Sequence, residues 1–106
     1  MTTTPSTTVG LLARIEARPE HVREVRELLT GALALAEEEA GTTVWFALNL
    51  GPTTFGIFDA FGSDDDRRAH LEGKIAAALM AQAPRLLTQA PDIRPVDVLA
   101  AKLPAA

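Results

Sequence analysis

Four side chains in this sequence have types and spacings that can do chemistry. Trp45 and Asn49 lie four residues apart in one apolar run, Asp59 interrupts a second, and His70 follows beyond it. An indole N–H, a carboxamide and a carboxylate inside an apolar cluster can orient a flat organic molecule and stabilise an oxyanion on it. A histidine of ordinary pKa accepts a proton near neutral pH. Each residue also has a plain structural account. A lone Trp packs a core or interface, and a buried Asn satisfies backbone groups. Asp59 pairs with Arg14 of the neighbouring strand, with a partner-chain group or with a ligand, and His70 bonds Asp66 or backbone. His21 falls in an exposed helical turn and is expected to have no catalytic role.

These residues must be positioned by a small set of elements. Residues 9–18 alternate as a strand does, with Leu11, Ala13, Ile15 and Ala17 on one side. Pro19 and Glu20 open a helix whose inner stripe is Val22, Val25, Leu29, Ala32, Leu33 and Ala36, with Glu37 to Glu39 solvated and Gly41 as its C-cap. Two strands follow, residues 42–50 and 54–61, joined by a tight turn at Gly51, Pro52 and Thr53. That connection sets Asn49 opposite Phe55 and Trp45 opposite Asp59, on one face.

Ser63 caps a second helix that begins Asp64, Asp65, Asp66 and carries Leu71, Ile75, Ala78, Leu79 and Gln82 on its inner stripe. His70 sits beside that stripe. Gly73 weakens this helix, and Pro84 ends or restarts it. A last strand spans residues 93–102, with Pro95 near its start. The order βαββαβ predicts an α+β, ferredoxin-like fold: a four-stranded antiparallel sheet with both helices on one face. Phe46, Phe55, Phe58 and Asp59 of the hairpin, with Leu71, Ile75 and Leu79 of the helix, are the expected lining of a substrate pocket.

The two hairpin strands, TTVWFALNL and TFGIFDAF, are apolar at almost every position, so both faces of the sheet need cover. The helices can cover one. A second copy is expected on the other, which makes a sheet-to-sheet homodimer the predicted assembly.

The 106 residues suit one domain, residues 9–106, behind a flexible Thr-rich tail of residues 1–8. Ten Lys+Arg against fourteen Asp+Glu give a net charge of −4, which disfavours nucleic acid as a partner. Zero cysteines remove disulfides, thiolate metal sites and cysteine nucleophiles. No phosphate loop, HExxH, GxSxG or EF-hand pattern occurs, so no cofactor or metal is expected. A run of about 18 apolar residues, which a membrane span needs, is missing as well. The expected location is the cytoplasm.

The segments LLARIEARPEHVREVRELL, EEAGTTVWFAL and above all FGIFDAFGSDDDRRAHLEGK resemble the antibiotic biosynthesis monooxygenase family of dimeric α/β-barrel proteins, over residues 9–103. The resemblance implies oxidation of an electron-rich aromatic, quinol or polyketide-like substrate by O2 without metal or flavin. By that likeness His70 is the base or orienting group, and Trp45 and Asn49 are binding and oxyanion groups. The sequence departs from the family in having Asp59 where strand three usually carries Glu, and in having no tyrosine. Two alternatives stand beside this reading: a non-catalytic dimeric barrel that binds a small hydrophobic metabolite, and a haem-degrading monooxygenase.

Overall fold

Alternation along the first strand fixes which way it faces. In β1 (Val9–Glu16), Leu11, Ala13 and Ile15 are buried while Leu12 and Arg14 are exposed, the period of two that puts one side against helices. The computed structural model describes residues 7–104. The tail expected over residues 1–8 therefore falls mostly outside the described residues. Thr7 and Thr8 are tied down, Thr7 by its hydroxyl to Thr43 and Thr8 by its carbonyl, which accepts from the Val98 amide.

Pro19 stops the ladder as its missing N–H requires, and a single 3-10 turn, Pro19–His21, leads into α1 (Val22–Gly31). The first helix breaks at Ala32 and resumes as the short α2 (Leu33–Glu37). The buried stripe Val25, Leu29, Ala32 and Ala36 keeps one phase through the break, and Leu33, at the edge of that stripe, is 48% exposed rather than inside. Gly41 does not cap the helix. It packs under Asp66, whose carboxylate would lie 2.5 Å from any Cβ there.

The hairpin is built from β2 (Thr42–Asn49) and β3 (Thr54–Phe61), in the register expected, with Trp45 opposite Asp59 and Asn49 opposite Phe55. Ser63 accepts the Asp66 amide at 3.1 Å and starts α3 (Asp64–Leu71). Gly73 does more than weaken the second helix. It divides it, and α4 (Lys74–Leu86) begins on a new phase and runs through Pro84 to its last turn, where one missing backbone bond is tolerated. The re-phasing puts His70 inside and Leu71, 42% exposed, outside.

The last strand, β4 (Asp92–Asp97), is shorter than its sequence suggests. Asp97 pairs with Val9, where β1 begins, and after the Val98 amide bonds the Thr8 carbonyl, residues 99–104 join no strand among the described residues, with Leu99 98% exposed. The sheet is antiparallel in the order β2-β3-β1-β4, a ferredoxin-like α+β fold with its helices on one face.

The core lies between that face and the helices. Ile15, Val25 and Phe61 are fully buried, each contributing about 1.5–3 kcal/mol of apolar burial. The other face carries Leu12 at 47% exposure, Phe46 at 55% and Leu48 at 38%. β1 and β3 approach so closely at Gly10 that a Cβ would stand 2.7 Å from the Asp59 carbonyl oxygen, a backbone atom that cannot step aside. Gly10→Ala should therefore destabilise the fold by about 1–3 kcal/mol, seen as an earlier urea midpoint. An unchanged midpoint would show that the two central strands part easily.

Candidate active site

Asp59 is the anomaly from which the site is built. It occupies a helix-facing position in β3, between Ile57 and Phe61, and is 2% exposed. A carboxylate there needs compensation. It does not come from Arg14, which pairs with Gly56 in the register and is exposed, pointing away from the helices. It comes from His70 of α3, whose Nε2 forms an ion pair with Asp59 Oδ2 at 2.9 Å. The Phe61 ring packs against the imidazole, with centroids 5.1 Å apart.

The other ring nitrogen is also taken. His70 Nδ1 lies 2.6 Å from Glu39 Oε1, which in turn accepts from the Thr42 hydroxyl at 2.7 Å. Gly73 leaves room for this: a Cβ on it would meet Glu39 Oε2 at 3.3 Å. Glu39 was expected in solvent, as the end of a charged helical run. The chain leaves α2 before reaching it, so the turn into β2 carries its carboxylate back under α3. A solvent-facing partner for His70, Asp66, is instead engaged by Ser63.

Two carboxylates beside an imidazole favour its charged form. Burial works against the charged ring, but Asp59 and Glu39 together outweigh it and raise the His70 pKa above its ordinary value near 6.5. Two buried polar side-chain atoms have no hydrogen-bond partner among the described residues: Asp59 Oδ1 and Trp45 Nε1. Each is an unmet requirement of about 1–3 kcal/mol in a closed interior.

Asp59 and His70 border a small cavity of about 30 Å3 whose other walls include Leu11, Ile57, Leu71, Ile75, Leu79 and Ile93. The structure thus brings together five of the residues expected at a pocket: Asp59, His70, Leu71, Ile75 and Leu79. Trp45 shares the face and packs on Ala32, Ala36 and Ile75. Phe55 is buried on the same face at the far end of the hairpin, in the main core.

The others lie elsewhere. Phe46 and Phe58 are register partners on the open face, one residue out of phase with Trp45 and Asp59, so the sheet separates them from His70. Asn49 is four positions from Trp45, about 13 Å along the strand, and its amide donates to the Gly51 and Thr54 carbonyls at 2.7 and 3.2 Å. It holds the turn. Of the residues at this centre, Glu39 had no mark in the sequence; only Gly41 and Gly73, small residues on either side of it in space, hint at a crowded junction.

No protein-family model matches the sequence, and no curated protein does. Among solved structures, the NE2512 protein from Nitrosomonas europaea, of unknown function, is 51% identical over 97% of this chain and 100% of that one, with a TM-score of 0.93. The protein belongs to the same family as NE2512. More distant structures share the fold of this family. One, also from Nitrosomonas europaea and provisionally named an antibiotic biosynthesis monooxygenase, is 14% identical over 87% of this chain and 99% of that one, with a TM-score of 0.78. Another with the same provisional name, from Caulobacter crescentus, is 19% identical over 89% of this chain and 92% of that one, with a TM-score of 0.75. The NE2512-like chain therefore has an antibiotic biosynthesis monooxygenase-like fold. No helix among the described residues is long and apolar enough to cross a membrane.

The raised His70 pKa sets a pH dependence. The imidazolium's stabilisation is complete below the unfolded value near 6.5 and is lost as pH rises through the higher folded-state value. The melting temperature should accordingly fall with rising pH across that window. His70→Leu should remove the dependence and, by stranding Asp59, cost about 3–5 kcal/mol at pH 6. Equal stability of the two proteins at pH 6 would show that the array contributes nothing to the fold.

Proposed function

We propose that the protein is an oxygenase that oxidises a small electron-rich aromatic, quinol or polyketide-like molecule with O2, taking the electrons from the substrate itself and needing neither metal nor flavin. The observation that carries this reading is Asp59 Oδ1, a buried carboxylate oxygen without a partner among the described residues, on a side chain that lines an apolar cavity. A substrate hydroxyl or activated C–H is the partner it lacks. Two neighbours in fold bear a monooxygenase name, which supports this class of chemistry by analogy of fold alone.

The likeness to the family made His70 the base. With both ring nitrogens facing carboxylates, neither is free for the substrate, and the oxygen without a partner among the described residues is Asp59 Oδ1. The same occupancy argues against a haem-degrading reading, since neither nitrogen is free to ligate iron. Asp59 takes a proton from the substrate, and the substrate anion passes an electron to O2. The radical pair closes a C–O bond to give a hydroperoxide, which loses water. For an anthrone the sum is CH2 + O2 → C=O + H2O, one oxygen atom in each product. Trp45, across from Asp59 on β2, offers an unpaired N–H to the developing oxyanion.

A cavity of about 30 Å3 holds no aromatic ring as it stands. It borders a groove of about 600 Å3 between α3 and β4, and the two share Leu11, Leu71 and Ile93. Leu71 ends α3 and is 42% exposed, so its displacement opens the cavity at little cost. The apolar walls of the cavity also fit a second reading, a binding module for a small hydrophobic metabolite.

The reading includes a homodimer, sheet against sheet. Phe46, Leu12 and Leu48 on the open face are worth about 1.5–3 kcal/mol each when covered, and residues 99–104, with Leu99 exposed, join no strand among the described residues. Sedimentation should give a dimer at micromolar concentration and a monomer for Phe46→Glu; a wild-type monomer would overturn the assembly.

Oxygen uptake on mixing with an anthrone or a reduced quinol tests the chemistry. Wild type should turn over, with Asp59→Asn slower by at least about 100-fold and Trp45→Phe impaired. Tight binding of these compounds without oxygen uptake would favour the binding module instead.

A further inference from the structure

We infer that Asp59, His70 and Glu39 form a proton relay that connects the small apolar cavity to a surface recess behind α3, with Glu39 as its outlet. The inference rests on the reading of Asp59 as the proton acceptor, and extends it to the path the proton follows.

The cavity and the recess are separate spaces. The recess, about 320 Å3, is bordered by Glu39, Thr42, Asp66, His70 and Lys74 among others. His70 is the one described residue that lines both. Its two nitrogens face the two compartments: Nε2 is 2.9 Å from Asp59 Oδ2 on the cavity side, and Nδ1 is 2.6 Å from Glu39 Oε1 on the recess side. Exposure rises along the row, with the side chains of Asp59 at 2%, His70 at 7% and Glu39 at 23%.

Charge balance gives the row its direction. A proton arriving on Asp59 Oδ1 neutralises the carboxylate that stabilises the imidazolium. As it does so the ring releases its Nδ1 proton to Glu39, which exchanges it with water. With the two transfers concerted, one proton enters at the cavity as one leaves at the recess and the buried Asp59–His70 pair stays neutral, so no net charge is desolvated. A proton returns along the same row to the peroxide anion, which needs it before losing water. The remaining charged groups facing this outlet are Glu38 from the end of α2, Asp66 from α3 and Lys74 from α4. A purely structural clamp needs only the hydrogen bonds; a relay also needs the outer acceptor to exchange its proton with solvent.

Glu39→Gln separates the two. Glutamine keeps an oxygen for Nδ1 and for the Thr42 hydroxyl but cannot carry the proton. Solvent exchange of the His70 ring protons, followed by 15N-resolved NMR, should slow at least tenfold in Glu39→Gln and recover in part in Glu39→Asp. Exchange at the wild-type rate in Glu39→Gln would overturn the relay. In anthrone oxidation the same variant should lower kcat and leave KM in place. Failure of wild type to consume oxygen would sink the oxygenase reading alone, because the exchange measurement judges the relay without turnover.

Discussion

A carboxylate at the centre of a sheet constrains everything packed against it. Asp59 sits on β3 between two apolar neighbours of the core, and its charge is tolerable there only with a counter-charge in contact. The only cation that reaches it among the described residues is His70, delivered by a helix of eight residues. That helix must be short and must end at a break, because a continuous helix would keep the phase of α4 and present Leu71 to the core instead. Gly73 supplies the break and, having no side chain, the space for Glu39. The second carboxylate then holds the ring from behind. Sheet, helix length, helix break and turn are thus parts of one electrostatic solution.

A second constraint acts on the opposite face. Strands β2 and β3 are apolar on both sides, which a sheet with one wet face would not be. On the helix side this builds the core and the cavity. On the other it leaves Leu12, Phe46 and Leu48 as an exposed apolar patch, the face on which the proposed homodimer rests. The division of labour explains why aromatic residues so close in sequence serve different ends: Phe55 and Phe61 fill the interior, while Phe46 and Phe58 belong to the surface.

Much of this was legible in the sequence. Alternation gave the strands and the Trp45–Asp59 register, because period and turn length together leave little freedom in a hairpin. Asp59 was recognisable as an anomaly by its apolar company, and His70 as lying beside the buried stripe. What periodicity could not give were the breaks. A smooth helix drawn through Gly73 puts Leu71 inside, and the real interruption moves it out. Glu39 was hidden for the same reason: it follows two other glutamates in what reads as a solvated face, and only the path of the chain after α2 reveals it. Phe46 and Phe58 were assigned to the pocket by kind rather than by parity, and parity decided against them.

Stability alone does not account for the array. Three apolar residues of similar volume at positions 39, 59 and 70 would fill the same space with no desolvation cost, and such replacements of buried ion pairs are often neutral or stabilising. The arrangement also stops short of full satisfaction: one oxygen of Asp59 and the indole N–H of Trp45, residues paired across two strands, are left without partners among the described residues. A structural network closes on itself, because each buried polar atom left open costs free energy. Here the open atoms are an acceptor and a donor on the same face, the acceptor bordering an apolar cavity and backed by a proton-carrying ring that reaches a recess. The cost is explained if a third molecule completes the set, one with a proton to give and an oxygen on which negative charge develops.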